Sequence, residues 1–205
     1  IDTFHQGFNF VYALRPQMLQ LGFLKLIKHT SLFADAEKYD IKTTAFPPFE
    51  TLSTATMSAI DIISLKKTED AVERFYNSGA FSKTLSEIKL QDPYLFYKSL
   101  GEKLCETENK APLSRAGLYT FLYEQLKDVP NIKQSLVTDF LTHNRKAPVP
   151  DVFLDSVEDA KKLHKKLAAL PQFKDIRFQL IFAAERAFAV SDNAVEDVTD
   201  LCQRT

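Results

Sequence analysis

The stretch SAIDIISLKKTEDAVERFYNSG, residues 58–79, decides the fold class of this chain. Ser58 followed three residues later by Asp61 has the spacing of a capping box, which begins a helix. Asn77-Ser78-Gly79 is typical of a helix end. Between these signals, apolar residues recur at the spacing of one long amphipathic helix: Ile60, Ile63, Val72, Phe75 and Tyr76.

More helices are predicted on the C-terminal side of this stretch. Asp92 and Pro93 form an N-cap and N1 pair that begins a helix, and Ser114 begins another. Apolar spacing predicts three further helices, at 81–88, 131–143 and from Ser156 to Pro171. Near the end, DIRFQLIFA (175–183) alternates apolar and polar residues and predicts a strand over 176–183. For the residues that follow it, the pattern does not decide between strand and helix.

The N-terminal quarter has a different pattern. A helix is predicted over 3–14, ended by Pro16, and a short helix over 33–39. Between them, MLQLGFLKLI (18–27) predicts a strand covered on both faces, while the two prolines of KTTAFPPFETL (42–52) favour an extended segment. The predicted fold class is mainly α (α+β), with a short βα segment over 1–55 and a helical domain over 56–205.

Composition narrows the classes of function. The chain has 205 residues, 45% hydrophobic and 26% charged, with a formal net charge of −1, which is typical of a globular protein. The near-neutral balance argues against a nucleic-acid or membrane partner. Cys105 and Cys202 lie far apart without metal-ligand spacing, so neither a disulfide framework nor a zinc site is predicted. A cytoplasmic location is the expectation.

Candidate chemical groups are few, because no nucleotide-binding or nucleophile motif is present. His29 follows the predicted strand 18–27, and the ends of such strands direct side chains into clefts. His164 lies between lysine pairs and is predicted to face solvent. The basic run over 161–166 is predicted to be a helix surface rather than a phosphate or RNA patch.

Four tyrosines cluster at helical spacing on two predicted helices. They are Tyr94, Tyr97, Tyr119 and Tyr123. The edge of the core is the favoured interpretation, and a groove for a ligand or partner is the alternative.

Three blocks of sequence stand out together: FNFVYALRPQMLQLGFLKLIKHTSL (8–32), YDIKTTAFPPFETLST (39–54) and AVERFYNSGAFSKTL (71–85). They resemble the C-terminal region of cobalamin-binding-domain radical SAM proteins, often described as Fe–S oxidoreductases or relatives of the magnesium-protoporphyrin oxidative cyclase. A fainter match lies at LVTDFLTHNRKAPVP (136–150). In that family this region closes the catalytic barrel and continues into a helical domain of uncharacterised function.

The resemblance implies that LQLGFLKLI (19–27) is a late barrel strand. It implies a parent oxidoreductase or methyltransferase that uses an iron–sulfur cluster, S-adenosylmethionine and cobalamin. The cluster's CxxxCxxC and the cobalamin DxHxxG motifs are absent here, so no catalytic, cofactor or metal residue is assigned, and no activity is expected of this chain alone.

The partners that the resemblance implies are the N-terminal cobalamin and radical SAM domains of the same polypeptide; a homo-oligomer is left open. The expected contributors to a substrate site or interface are Lys25 and His29 at the strand end and Tyr76 and Asn77 at the helix end. An apolar patch along Leu19–Ile27 is expected where the barrel would pack. The alternative hypothesis is a free-standing helical module that binds a partner in a Phe/Tyr-lined groove.

Overall fold

The computed structural model describes residues 1–157, 160–174 and 176–204, and these are mainly helical with small antiparallel sheets. The mainly α fold class is therefore confirmed. Contacts divide the chain into two compact units. The N-terminal unit comprises Ile1–Ser78 and Leu90–Ala111, and the C-terminal unit comprises Gly79–Lys89 and the chain from Pro112 onward. The boundary predicted near residue 55 lies within the N-terminal unit.

The elements are numbered in chain order. The helices are α1 (Asp2–Ala13), α2 (Ser31–Ala34), α3 (Ala59–Ala71), α4 (Ser82–Glu87), α5 (Pro93–Glu108), α6 (Arg115–Leu126), α7 (Ile132–His143), α8 (Ala160–Ala168) and α9 (Thr199–Arg204). The strands are β1 (Lys42–Thr43), β2 (Thr51–Ser53), β3 (Phe178–Ala183), β4 (Arg186–Ser191) and β5 (Val195–Asp197). Helix α3 continues directly into a π-helical segment, Val72–Asn77.

Local capping signals set the starts of α3, α5 and α6 in the places predicted. The Ser58 hydroxyl accepts from the backbone N–H of Asp61, whose carboxylate accepts from the Ser58 N–H, so the capping box is present. At α5 the Asp92 side chain accepts from the backbone N–H of Leu95, and at α6 the Ser114 hydroxyl accepts from that of Gly117. These three predictions are confirmed, because each cap depends only on residues within one turn.

Helices α3 and α5 pack closely in the N-terminal unit, and a glycine permits the approach. A Cβ built on Gly101 would lie 2.1 Å from the backbone carbonyl oxygen of Lys67. No side chain fits in that space, so α5 presents bare backbone to α3 at this point. The residues of α3 and its π-helical continuation that are buried include Ile62, Leu65, Val72 and Phe75.

The predicted strand over 18–27 is wrong. These residues are extended but form only an isolated bridge, between Lys25 and Glu50. Leu19 and Leu26 are buried, whereas Leu24 is exposed, so the segment is not covered on both faces. A strand needs a neighbour along its length, and the described residues supply one only around Phe49 and Thr51. The short helix predicted over 33–39 is found earlier, as α2.

The C-terminal unit is built around helices α4, α6 and α7. Phe81, Tyr119 and Phe140 are buried against one another, with ring centroids 4.4 Å and 5.0 Å apart along the series. Asp139 on α7 accepts hydrogen bonds from the backbone N–H groups of Lys83 (3.0 Å) and Thr84 (2.8 Å). A residue of one helix therefore caps the N-terminus of another.

Strands β3, β4 and β5 form an antiparallel sheet in that order. The predicted strand over 176–183 is confirmed as β3, and the following segment, left open, is strand β4. Ala184 and Glu185 join them with φ values of 54° and 61°, the backbone geometry of a type I′ hairpin turn. One face of the sheet packs on α8 through a core that includes Leu167 and Ala189.

The prediction that His164 faces solvent is only partly confirmed, because the residue is half-buried. Its Nε2 lies 3.1 Å from the carbonyl oxygen of Phe178, and the two rings stack with centroids 4.6 Å apart. The helix over 160–168 is present as α8, but its predicted start involves Asp159, which lies outside the described residues. Sequence spacing placed His164 among lysines and contained no sign of the strand that packs beside it.

Candidate docking surface

The extended segment Pro16–Lys28 is the feature of the N-terminal unit that the resemblance singles out, and its first half is held by the end of the π-helical segment. Asn77 makes a pair of hydrogen bonds with the backbone of Leu19. Its Oδ1 accepts from the Leu19 N–H at 2.8 Å, and its Nδ2 donates to the Leu19 carbonyl oxygen at 3.0 Å. The Tyr76 hydroxyl donates to the carbonyl oxygen of Pro16 at 2.5 Å.

The second half of the segment is held by the residues that lead into β2. The N–H of Leu26 donates to the carbonyl oxygen of Phe49, and the N–H of Thr51 donates to that of Leu24, each at 2.9 Å. Lys25 is exposed between these bonds. His29 lies exposed in the turn that follows, with φ of 68°.

The four residues named from sequence thus lie at opposite ends of one segment. Tyr76 and Asn77 bind the backbone at its start, while Lys25 and His29 lie at its end. Whether any of them lines a substrate site stays a prediction.

The apolar side chains of this unit do not all point inward. On the extended segment, Met18 is 56% exposed, Leu24 43% and Ile27 63%. Helix α3 adds Ile60 at 79% and Ile63 at 55%. We call these five residues the apolar set. A contiguous exposed apolar patch is typical of a surface that another protein surface covers, whereas single exposed apolar side chains are common on any protein; three of the five lie close together in sequence, within residues 18–27.

The apolar spacing placed Ile60 and Ile63 on the apolar face of the predicted helix, but both side chains are exposed. The buried stripe of α3 runs through Ile62 and Leu65, so the two isoleucines lie off it. The buried residues of α3 recur every three positions, at 62, 65, 68 and 71, and positions 60 and 63 lie outside this series.

A cluster of tyrosines lies behind the segment. The rings of Tyr12 and Tyr76 have centroids 5.4 Å apart, and those of Tyr12 and Tyr97 5.8 Å apart. Burial raises the pKa of all three hydroxyls, that of Tyr97 most strongly. These groups therefore stay neutral at physiological pH, and the cluster acts as packing behind the segment rather than as an acid–base site.

Charged residues brace the same unit at two places that the sequence pattern did not reveal. The Arg74 guanidinium binds both carboxylate oxygens of Glu108, at 2.7 and 3.0 Å, and its Nε donates to Asp70 at 2.8 Å. The hydrogen bonds to Glu108 are the main cause that raises the pKa of Arg74. His5 lies 2.7 Å from Asp92, which ties α1 to the start of α5.

The tyrosines that suggested a groove are mostly core residues. Tyr94, Tyr97 and Tyr119 are buried, and Tyr123 is half-buried. Burial raises the pKa of Tyr119 to about 12. Tyr94 and Tyr97 are core residues of the N-terminal unit and Tyr119 is a core residue of the C-terminal unit, so the favoured interpretation, the edge of the core, fits only the half-buried Tyr123.

The chain's own residues do not fit an iron–sulfur cluster. Neither cysteine is part of a disulfide, and Cys105 on α5 and Cys202 on α9 lie in different units. Within residues 1–157, 160–174 and 176–204, no group of three or more His, Cys, Asp or Glu side chains is arranged to hold a metal ion. Across the same residues, no helix has the length and apolar character needed to cross a membrane.

The fold defines this chain as a two-unit, mainly helical protein whose N-terminal unit exposes an apolar set. A family model described as a protein of unknown function (DUF4080) matches residues 37–190, so the chain belongs to that family. No curated protein and no solved structure matches it.

Proposed function

We propose that the chain is the C-terminal accessory region of a cobalamin-dependent radical SAM enzyme. In this proposal the N-terminal unit docks on the catalytic part of the same polypeptide, and the apolar set is the contact surface. The region brings no cluster or cobalamin ligands of its own and helps to shape the substrate site, with Lys25 and His29 nearest the contact.

The observation that carries the proposal is that the extended segment is held in place although several of its apolar side chains are exposed. Its backbone is pinned at both ends by hydrogen bonds, yet Met18, Leu24 and Ile27 are exposed. Ordering a chain costs about 1–2 kcal/mol of conformational entropy per residue. An ordered segment with exposed apolar side chains is suited to packing against another apolar surface.

Chemistry at the ends of the segment is consistent with that role. Lys25 projects from the isolated bridge with Glu50 and is exposed, so its ammonium group is available to an anionic partner. Glu50 is instead engaged by Lys66, with Nζ 2.7 Å from its carboxylate oxygen.

The experiment that tests the proposal is the isolation of the native species from its source cells with an antibody against this chain. The expected species is much heavier than 23.3 kDa and contains iron and a corrinoid. A native species of 23.3 kDa without either would refute the proposal and favour the free-standing interaction module.

A pair of variants tests the contact surface itself. Leu24→Asp and Ile27→Asp are expected to leave the thermal stability of the 205-residue chain unchanged, because both side chains are already exposed. In the native species the same variants are expected to weaken the contact with the catalytic part, measured as faster hydrogen exchange in residues 18–27. Leu26→Asp is the matched control, since Leu26 is buried and its change should destabilise the isolated chain as well. Equal exchange in the wild-type and variant native species would refute the docking assignment.

A further inference from the structure

An open cleft lies within the C-terminal unit. Its volume is about 800 Å³, which is within the usual range for small-molecule sites. Its walls come from the loop after α7, the start of α8, and the adjoining ends of β3 and β4. A ligand-sized space is thus bounded by elements of a single unit.

Cationic side chains dominate the lining of this cleft. Arg145, Lys146, Lys161 and Arg177 contribute positive charge, and Asp192 is the carboxylate among the described lining residues. Lys146 lies 3.8 Å from Asp192, but both side chains are almost fully exposed, so water screens that pair. Among the residues that the structure describes, the lining of the cleft therefore carries more positive than negative charge, in a chain whose net charge is −1.

Some of the hydrogen-bond donors that line the cleft lack an acceptor among the described residues. Arg145 donates through Nη1 to the carbonyl oxygen of Asp192 at 2.9 Å. Its Nε is buried and finds no acceptor within the described part of the chain. Lys161 and Arg177 have no ion pair with a carboxylate of the described residues; Glu158, Asp159 and Asp175 lie outside them. Arg145 thus has an unsatisfied donor among the described residues, and the exposed Lys161 and Arg177 can form charge-assisted hydrogen bonds with an anionic ligand.

The interior of the cleft is apolar at one side. Val190 is buried there and lies on the same sheet face as its pairing partner Gln179. Phe178 and Leu180 lie on the opposite face and pack on the core that includes Leu167. The His164 Nε2 lies 3.1 Å from the Phe178 carbonyl oxygen, which ties α8 to β3 beside the cleft. Two arginines suit the tetrahedral oxygens of a phosphate group, because guanidinium groups bind such oxygens in pairs. The buried Val190 suits a short hydrocarbon or ring attached to the phosphate.

We infer that this cleft binds a small phosphate ester, with the phosphate at Arg145, Lys161 and Arg177 and the ester group against Val190. The inference does not rest on the proposed function. It also refines the interpretation of the basic run over 161–166: of those lysines, Lys161 lines the cleft.

The test is a titration of the 205-residue chain with phenyl phosphate in a phosphate-free buffer, in which binding is monitored through the amide chemical shifts. Saturable shift changes are expected along β3 and at the end of β4. Inorganic phosphate should bind more weakly, and phenol, which lacks the anion, should not bind. Lys161→Gln and Arg177→Gln should each weaken the phenyl phosphate affinity by roughly tenfold, the effect of losing one charge-assisted hydrogen bond.

Matched controls are Lys165→Gln and Lys174→Gln, which remove exposed charges near the cleft that do not line it. They should leave the affinity unchanged, and all four variants should keep the wild-type melting temperature. The inference is overturned by an absence of saturation up to about 10 mM, by equal weakening in the controls, or by equal affinity for inorganic phosphate. Tighter binding of single-stranded RNA than of phenyl phosphate would also overturn it.

Discussion

Replacing Asn77 by alanine would show how the extended segment is held. The change removes the two hydrogen bonds to the backbone of Leu19, at 2.8 and 3.0 Å. It also removes a third, from Nδ2 to Glu73 at 2.7 Å, which is exposed. At about 1 kcal/mol for each of the two bonds to Leu19, the segment loses about 2 kcal/mol of stabilisation relative to its locally open state.

The assay is native-state hydrogen exchange at the amide of Leu19. Exchange through local opening reports the free energy of that opening, so a loss of about 2 kcal/mol predicts exchange roughly 30-fold faster. Gln20→Ala is the control, because Gln20 is exposed on the same segment and its side chain contacts only the sulfur of Met18 in the described contacts. Unchanged exchange at Leu19 in Asn77→Ala would refute the view that this side chain pins the segment.

Three further predictions concern single residues. Asp139→Ala should lower the free energy of unfolding by about 2–4 kcal/mol in a urea titration, because two backbone N–H groups at the start of α4 lose their acceptor. Gly101→Ala should destabilise the chain by roughly 1–3 kcal/mol or more in thermal unfolding, since the new Cβ would overlap the Lys67 carbonyl. The pKa of Asp92 is lowered, mainly by the backbone N–H at the start of α5 and to a smaller extent by hydrogen bonds from Asn9 and His5. The stabilising contribution of the Asp92 carboxylate should therefore be present above the ordinary pKa of aspartate and be lost as the pH falls through the lowered value.

Each of these predictions has a control. Asp139→Asn keeps one acceptor oxygen, so it should cost less than Asp139→Ala; equal costs would contradict the capping role. Gly22→Ala adds a Cβ where no atom lies within 4 Å, so an equal loss in that variant would contradict the packing argument. For Asp92, the wild-type chain and Asp92→Asn should converge in stability at low pH, and a constant difference across the range would contradict the assigned pKa direction.

The starts of α3, α5 and α6 could be predicted because each depends on residues within one turn. Ser58, Asp92 and Ser114 satisfy the first free N–H groups of their own helices, so no distant partner is needed. Strand β3 was also predictable, since its alternating apolar residues match the period of a sheet with one packed face.

The candidate surface could be predicted only in part. The resemblance pointed to residues 18–27 and to Tyr76 and Asn77, but the bond between Asn77 and Leu19 joins positions 58 residues apart. No spacing along the chain reveals such a pair. The cationic cleft was missed because Arg145 and Arg177 come from separate elements and are brought together by the fold of the C-terminal unit.

The sequence by itself determined the helical class, the capped helix starts and strand β3, because hydrogen bonds and apolar periodicity within single elements suffice for them. Only the tertiary structure decided that residues 18–27 are extended without being a strand, since a strand requires a neighbour and the described chain supplies one at a few residues. It also decided that Ile60 and Ile63 are exposed and that His164 is half-buried. The burial of a side chain depends on which elements pack against it, and that is a property of the whole fold.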